Sequence, residues 1–297
     1  MNKLGKKQAT VISSVVLISM LIGILIIILV VLNLRKYDNF VLDFNDYNNF
    51  SDYNHSENDV SKIFVINLQR RPDRLQYFTS NYKLDFPYEI FNAVDGKQII
   101  MQDLIDNNVL GLEGIRSLNT RKRKYHYELT NLGAVGCYLS HYYIWKYIID
   151  NDLNQDNYLI FEDDSELSDI DINLGELNYR ISKLPKDWDM YLLISPLLCY
   201  NKKKYSDSIY KVDRFFCTHA YVINKKGIMK IFNSGTIFPI NQQIDSYLGE
   251  LSIDYDLNIY VHNGNYNYYP QRNLSTDIQN TNENQLMISF ERYRLKN

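Results

Sequence analysis

The stretch Tyr158-Leu-Ile-Phe-Glu-Asp-Asp-Ser165 joins a short apolar run to three consecutive carboxylates. Its apolar half is typical of a strand buried in a mainly parallel sheet. Open α/β sheets bind ligands outside the carboxyl ends of their strands, which is where Glu162, Asp163 and Asp164 would lie. Adjacent like charges repel one another, so a divalent cation with oxygen ligands would compensate them. The alternative is a solvated acidic turn that only ends the strand.

The segment before this strand predicts half of a βαβ unit. Residues 132–150 form the clearest amphipathic helix of the sequence, and a short loop separates them from the acidic stretch. Gly133 and Gly136, at the start of that helix, permit a close approach of its backbone to a ligand or a strand. His141 lies on the same helix, where a lone histidine is more often a hydrogen-bonded structural residue than a catalyst.

A basic turn follows the strand predicted at residues 62–68. The segment Gln69-Arg-Arg-Pro-Asp-Arg74 leads from that strand into a helix, because Pro72 suits a first helical turn. A strand, a tight basic turn and a helix form a good place to hold a phosphate or a nucleotide. Positive charge is unfavourable at a helix N-terminus, so a bound anion would account for these arginines. The alternative is a solvated helix start.

The remaining pattern predicts a single α/β domain at residues 61–280, followed by a polar tail at 281–297. Further strands are predicted at residues 88–94, 188–194, 215–224 and 259–262, and helices at 177–184, at 225–232 and from 244. Residues 97–130 give a mixed pattern, and their basic run at 121–124 is typical of a solvated loop.

The N-terminal region predicts a membrane anchor. Residues 11–32 carry no charge, and 22 helical residues span about 33 Å, which matches the hydrocarbon core of a bilayer. A cleaved signal peptide is the alternative, but its apolar region would be shorter and a small-residue cleavage site would follow it. Lys3, Lys6 and Lys7 precede the segment, which favours a cytosolic N-terminus. We therefore expect a single-pass type II membrane protein with a cytosolic tail at 1–10, a stalk at 33–60 and a lumenal or extracytoplasmic domain.

The overall composition argues against some function classes. The net charge of −3 gives no basic footprint for nucleic acid. The three cysteines form no CxxC pair, which argues against zinc sites and redox motifs. A disulfide between Cys199 and Cys217 is an alternative that the sequence does not decide, but free buried thiols are the expected state.

Four blocks in a fixed order carry a family resemblance. They are Phe64-Val-Ile-Asn-Leu-Gln-Arg-Arg-Pro-Asp-Arg74, Ala93-Val-Asp-Gly96, Gly133-Ala-Val-Gly-Cys-Tyr-Leu-Ser-His141 and Leu159-Ile-Phe-Glu-Asp-Asp164. Together they resemble glycosyltransferase family 25, which contains lipooligosaccharide galactosyltransferases and procollagen galactosyltransferases. Thr218-His-Ala-Tyr-Val-Ile-Asn-Lys-Lys-Gly227, Ile244-Asp245 and Ser275-Thr-Asp-Ile-Gln279 are similar to later landmarks of that family. The resemblance thus covers about residues 61–280.

The resemblance implies a GT-A-type α/β fold, with a mostly parallel central sheet and helices on both faces. It implies a UDP-sugar donor, most often UDP-galactose, and a manganese ion. Carried over by position, it assigns the donor to Asn67, Arg71, Arg74, Gly136, His141, Glu162 and Asp163, and the metal to Asp163 and Asp164. The acceptor would be a glycan or a hydroxylysine-type protein, and a homo-oligomer stays open.

Asp245 is the candidate catalytic residue, because the resemblance places it at the acceptor. An inverting transferase needs one carboxylate to deprotonate the acceptor hydroxyl, whereas a retaining one would change that role. The alternative is that Asp245 caps the helix at Ser246.

The sequence therefore predicts a membrane-anchored, metal-assisted transferase that moves a hexose, with galactose first. Many bacterial members lack the anchor and stalk, so a secretory-pathway enzyme fits better. The alternative is a catalytically inactive module that keeps the fold and binds glycans or a partner.

Overall fold

The computed structural model describes residues 59–81, 86–120, 123, 125–151, 157–165, 173–194, 198–263 and 277. These residues belong to one unit of the chain, residues 53–297. The predicted cytosolic tail, the anchor at 11–32 and most of the stalk lie outside them, as does the tail at 281–297. Within the described residues, no helix is both long enough and apolar enough to cross a bilayer. The anchor therefore stays a prediction.

Seven helices and ten strands make up the described part of the chain. The helices are α1 (Pro72–Asn81), α2 (Met101–Asp106), α3 (Leu112–Leu118), α4 (Leu132–Asp150), α5 (Leu174–Ile181), α6 (Lys225–Asn233) and α7 (Ile244–Asp254). The strands are β1 (Val60–Asn67), β2 (Glu89–Asn92), β3 (Asn157–Glu162), β4 (Met190–Leu192), β5 (Cys199–Tyr200), β6 (Lys203–Lys204), β7 (Ile209–Lys211), β8 (Arg214–Phe215), β9 (Ala220–Asn224) and β10 (Ile259–His262). Every strand and helix predicted between residues 61 and 280 has a counterpart among the described residues. The sequence pattern did not predict α2, α3 or the short strands β5 to β7, and the strand predicted at 215–224 is divided into β8 and β9.

The central sheet is mixed: six of its eight strands run in one direction, in agreement with the predicted mostly parallel sheet, whereas β7 and β9 run in the opposite direction. Its strand order is β2-β1-β3-β9-β4-β10-β7-β6, and β5 pairs with β8 in a second, two-stranded sheet. β1 runs parallel to β2 and β3, and β4 runs parallel to β10, whereas the other four neighbouring pairs are antiparallel.

The connection between β4 and β9 explains the reversed direction of β9. A parallel neighbour needs a long crossover, usually a helix. The described residues between β4 and β9 contain the short strands β5 to β8 and no α-helix. β9 therefore returns in the opposite direction and inserts between β3 and β4.

Helices cover both faces of the sheet, as predicted. Phe64 of β1 and Ile160 of β3 are register partners and share one face, so Phe161 points to the opposite face. Tyr147 of α4 packs on Phe64 with ring centroids 6.0 Å apart. Phe78 of α1 packs on Phe161 with centroids 5.6 Å apart.

The strand and the helix that carry the acidic stretch and His141 are almost wholly buried. Residues 158–161 are each 0% exposed, which confirms the buried strand. α4 is buried around most of its circumference rather than along one stripe, because the sheet, α6 and α7 all pack against it. Its first turn is fixed by the side chain of Asn131, which accepts a hydrogen bond from the N–H of Ala134 (3.2 Å).

Candidate active site

A cavity of about 740 Å³ lies at the carboxyl ends of β1 and β3. Its walls come from those strand ends, the loop after β2, the loop before α4 and the first turns of α4. Its polar lining residues are Arg70, Arg74, Lys97, Thr130, Asn131, Ser140, His141, Glu162, Asp163 and Asp277. A cavity of this size accepts a nucleotide-sized ligand, and strand ends are where α/β sheets bind such ligands.

Glu162, the last residue of β3, is an ionised carboxylate held by hydrogen bonds. Its Oε1 accepts a hydrogen bond from Thr218 Oγ1 (2.7 Å) and lies 3.3 Å from His141 Nε2. Its backbone N–H donates to the carbonyl oxygen of His219 (2.7 Å). Burial opposes ionisation, but the hydrogen bond from His141 and the charge of His219 lower the pKa of Glu162 to about 2.

Asp164 and His219 form a compact group with Glu162. One carboxylate oxygen from each acid and one imidazole nitrogen lie within 4.8 Å of one another. Within the described structure, Asp164 Oδ1 is buried without a hydrogen-bond partner. It lies 3.7 Å from His219 Nε2, whereas Asp164 Oδ2 lies 3.2 Å from an Nη atom of Arg74. Buried polar atoms normally have a partner, so Asp164 Oδ1 is a position that a cation would satisfy.

The antiparallel course of β9 brings His219 to the acids. Phe161 of β3 and Ala220 of β9 are register partners, so His219, one residue earlier, lies beside Glu162. Ser165 fixes the turn that follows β3. Its Oγ lies within hydrogen-bonding distance of the carbonyl oxygens of Glu162 and His219 and donates a shared hydrogen bond to them.

Asp163 faces away from this group. Its Oδ2 accepts a hydrogen bond from Asn67 Nδ2 (2.6 Å), and its Oδ1 accepts one from Arg74 (3.1 Å). Burial and the charge of Asp164 raise the pKa of Asp163 to about 7, although Arg74 and Asn67 lower it. Both oxygens are engaged inside the protein, which does not fit the metal ligation predicted for Asp163. Asn67 orients Asp163 and is not among the described residues that line the cavity.

The arginines of the basic turn are paired with carboxylates of the chain. Arg70 forms two hydrogen bonds with Asp95 (2.7 and 3.2 Å) and lies 2.8 Å from Asp277 Oδ1. Arg71 lies 2.5 Å from Asp277 Oδ2 and 2.8 Å from Asp73. The predicted anion at this turn is thus supplied in part by the carboxylate of Asp277. Of the two arginines, Arg70 lines the cavity, whereas the donor contact was predicted for Arg71.

Two glycines of α4 allow close backbone packing, as predicted. A Cβ atom at Gly136 would lie 2.4 Å from the carbonyl oxygen of Val94, and one at Gly133 would lie 2.2 Å from that of Asp277. The close approach at Gly136 is therefore to the segment after β2. Gly133 lines the cavity, but Gly136, predicted at the donor, is not among the described residues that do.

Asp245 is buried at the start of α7. Its Oδ1 accepts a hydrogen bond from the N–H of Ser246 (2.7 Å). The N-cap of α7 is Gln243, so Asp245 lies inside the first turn and is not the predicted cap. Its Oδ2 accepts one from the N–H of Cys217 (3.0 Å), whose φ of 74° is in the left-handed region. His126 Nδ1 lies 3.8 Å from the same oxygen, and burial lowers the pKa of His126 to about 4. Asp245 is outside the described cavity lining, so its catalytic role stays a prediction.

Among the described residues, two groups of side chains could hold a metal ion. One combines Glu162, Asp164 and His219, and the other combines Cys137, His141 and Glu162. Burial, followed by the nearby acids, raises the pKa of Cys137 well above its usual value, so its thiol is a poor partner for a hard cation. The first group has two carboxylates and an unsatisfied buried oxygen, so it fits a hard divalent cation better.

The surroundings of His219 favour its protonated form. Burial lowers its pKa, but Cys217, Asp164 and Glu162 raise that pKa well above its usual value. Metal binding would have to displace this proton.

Sequence reasoning assigned no role to several residues of the site. Thr218, His219 and Asp277 lie inside the later blocks that resemble the family. The sequence thus marked their positions but did not indicate what they do. No disulfide links the three cysteines in the described structure; Cys199 is buried, as expected, whereas Cys137 and Cys217 are half-buried.

Comparison with known proteins identifies the family. The model of "Glycosyltransferase family 25 (LPS biosynthesis protein)" matches residues 60–247, more than half of the chain. The chain belongs to glycosyltransferase family 25. The predicted resemblance is therefore confirmed, and the mixed α/β fold with a large central sheet fits a glycosyltransferase domain.

Relatives within family 25 match only part of their own length. "Glycosyltransferase 25 family member" of Aedes aegypti is 27% identical over 225 residues, which cover 72% of this chain and 34% of that protein. "Procollagen galactosyltransferase 2" of Homo sapiens is 27% identical over 190 residues, 61% of this chain and 29% of that protein. "Probable inactive glycosyltransferase 25 family member 3" of Bos taurus is 31% identical over 134 residues, 44% of this chain and 21% of that protein. The matched region thus spans about a third or less of these relatives.

Proposed function

We propose that this family 25 chain transfers a hexose, with galactose as the first candidate, from a UDP-sugar to a hydroxyl group. The acceptor would be a glycan or a hydroxylysine-type protein. The observation that carries the proposal is the buried, unsatisfied Oδ1 of Asp164 beside Glu162 and His219, next to a cavity of about 740 Å³. The procollagen galactosyltransferases among its relatives support the choice of sugar.

The metal proposal moves from Asp163 to Glu162, Asp164 and His219. These three residues would hold a divalent cation such as Mn²⁺ through oxygen and imidazole ligands. When bound, the cation would supply Lewis-acid stabilisation of the negative charge that grows on the leaving diphosphate. Asp163 would act indirectly, because its contacts with Arg74 and Asn67 fix the backbone from which Glu162 and Asp164 project.

Positive side chains at the cavity would bind the diphosphate itself. Arg70, Arg74 and Lys97 all line the cavity. Arg70 and Arg74 are already oriented by carboxylates, so they present fixed guanidinium groups rather than mobile ones. Fixed charges cost little reorganisation when the substrate binds, and this supports their use in a transferase.

The test is release of UDP from a panel of UDP-sugars, measured with Mn²⁺ and again with EDTA, with collagen-like peptides and glycans as acceptors. We expect turnover with one donor, abolished by EDTA and by Asp164→Asn. Asp207→Asn is the matched control, because the side chain of Asp207 is fully exposed and, among the described residues, forms an ion pair with Lys204. A lack of turnover with every donor and acceptor would contradict the proposal.

An inactive binding module is the second candidate, favoured by the bovine relative named probable inactive. UDP with Mn²⁺ would then raise the melting temperature of the chain without any transfer. Turnover with any donor would exclude this candidate.

The membrane proposal concerns residues 11–32, which would hold the domain in the lumen or outside the cell as a type II protein. Protection of the domain from added protease in sealed membrane vesicles would support that topology. Digestion without detergent would contradict it. Cross-linking of the full chain would test the open question of a homo-oligomer.

A further inference from the structure

Three fully buried side chains form a hydrogen-bonded row that ends on Glu162. Trp145 and His141 lie one turn apart on α4, and Tyr221 lies on β9 facing them; each is 0% exposed. Trp145 Nε1 donates a hydrogen bond to the Tyr221 hydroxyl (3.1 Å). The same hydroxyl lies 2.9 Å from His141 Nδ1, and His141 Nε2 lies 3.3 Å from Glu162 Oε1.

Counting donors and acceptors assigns every proton in this row. The indole N–H of Trp145 can only donate, so the Tyr221 oxygen accepts from it. The described residues offer the hydroxyl proton of Tyr221 one acceptor, His141 Nδ1. His141 Nδ1 therefore carries a lone pair, and in the neutral ring the proton is on Nε2, facing Glu162.

The opposite tautomer leaves two groups unsatisfied. With the proton on Nδ1, the Tyr221 hydroxyl would lose its acceptor inside a fully buried site. The lone pair of His141 Nε2 would then face an ionised carboxylate oxygen 3.3 Å away. Unsatisfied buried polar groups are costly, so the Nε2-protonated ring is the stable form.

The row has a consequence for Glu162. Its Oε1 accepts two hydrogen bonds, from His141 Nε2 and from Thr218 Oγ1 (2.7 Å), whereas Oε2 accepts none from the described residues. Two donors on one oxygen fix the plane of the carboxylate and leave the other oxygen for a ligand. Second-layer hydrogen bonds of this kind commonly orient metal-binding side chains.

We propose that Tyr221 is a positioning residue for the donor site, acting through His141 to orient Glu162, with Trp145 fixing the Tyr221 hydroxyl. This inference rests on the proposed function, because it assumes that Glu162 binds the cation required by the transferase. It assigns a role to Tyr221 and Trp145, which lie outside the described cavity lining.

The test measures Mn²⁺ binding by the full chain in mild detergent with UDP present, from the electron paramagnetic resonance signal of free Mn²⁺. Tyr221→Phe removes only the hydroxyl. We expect it to weaken Mn²⁺ affinity by about 10–100-fold, as removal of orienting hydrogen bonds to metal ligands typically does.

Tyr138→Phe is the matched control. Tyr138 is also on α4, is 1% exposed and donates a hydrogen bond from its hydroxyl to the carbonyl oxygen of Ile237 (2.8 Å). The melting temperature of Tyr138→Phe should fall by about as much as that of Tyr221→Phe. Its affinity for Mn²⁺ should equal that of the wild-type chain. A purely structural role for Tyr221 would make the two variants alike in both measurements, and that result would overturn the inference.

A second pair of variants covers the case in which Tyr221→Phe does not fold. His141→Gln retains an N–H donor near Glu162, whereas His141→Leu does not, so Mn²⁺ should bind more tightly to the glutamine variant. Equal affinities would overturn the inference. Absence of Mn²⁺ binding by the wild-type chain would instead overturn the proposed metal site, and this inference with it.

Discussion

Replacement of Arg74 by methionine should strongly destabilise the domain. The Arg74 side chain is 7% exposed and lies 3.1 Å from Asp163 and 3.2 Å from Asp164, so one guanidinium group compensates two acids. Removing one partner of a buried ion pair leaves an uncompensated charge, which costs about 3–5 kcal/mol. For a domain of this size, that cost corresponds to a fall of about 6–20 °C in melting temperature.

The free energy of unfolding that Arg74→Met loses should increase as the pH rises. The pKa of Asp163 is raised from 3.8 to about 7, so the native state holds a proton that the unfolded state releases between those values. The stability due to Asp163 is therefore fully present below the unfolded pKa and falls by about 4 kcal/mol as the pH rises to the folded pKa. Arg74 lowers this pKa in the wild-type chain. Without Arg74 the decline continues above pH 7, and the difference between the two proteins widens.

Urea unfolding followed by circular dichroism, at about pH 6 and about pH 8.5 and without added metal, measures both effects. Arg116→Met is the matched control, because the Arg116 side chain is 72% exposed and pairs with an exposed glutamate, so its loss should stay below about 0.5 kcal/mol. A loss below about 1 kcal/mol for Arg74→Met would refute the reasoning, as would a difference that shrinks as the pH rises.

Two further variants test the packing at α4 and the role of Asp245. Gly136→Ala should lower the free energy of unfolding by about 1–3 kcal/mol in urea, because the new Cβ would lie 2.4 Å from the carbonyl oxygen of Val94. Gly175→Ala, where the nearest contact is 3.3 Å from a side chain, is its control, and equal effects would contradict the prediction. Asp245→Asn keeps the side-chain volume and should lower UDP-sugar turnover by about 10²–10⁴-fold if Asp245 is the base. Its melting temperature should also fall, because the amide has one acceptor oxygen and leaves the N–H of Cys217 or Ser246 without its acceptor. Full turnover in that variant would leave Asp245 with a structural role alone, through its contacts with Ser246 and Cys217.

Local sequence patterns predicted the elements of this fold well, because each pattern reports one physical constraint. The apolar run at 158–161 is buried as a strand, and Pro72 begins α1. The helix predicted at 132–150 has the same bounds as α4. Strand direction was not predictable from these patterns, because a short strand has the same residue pattern in either direction and its course depends on the preceding connection.

Two features of the site were missed, the position of His219 and the role of Asp163, because both depend on contacts between distant parts of the chain. His219 reaches the acids because β9 runs antiparallel to β3, and a parallel β9 would place the same residue at the other end of the sheet. The role of Asp163 depends on contacts with Asn67 and Arg74, 96 and 89 residues away in the chain, which no local pattern encodes. Glu162 and Asp164 lie in one group whereas Asp163 faces away from it, as the alternation of side chains along a strand places them.

The most direct test of the proposed metal-assisted transferase is the binding of UDP measured by isothermal titration calorimetry, with Mn²⁺ and with EDTA. We predict binding that requires Mn²⁺ and is lost in Asp164→Asn but retained in Asp207→Asn. Equal UDP binding in EDTA, or unchanged Mn²⁺-dependent binding in Asp164→Asn, would contradict the assignment of Glu162, Asp164 and His219 as the metal site.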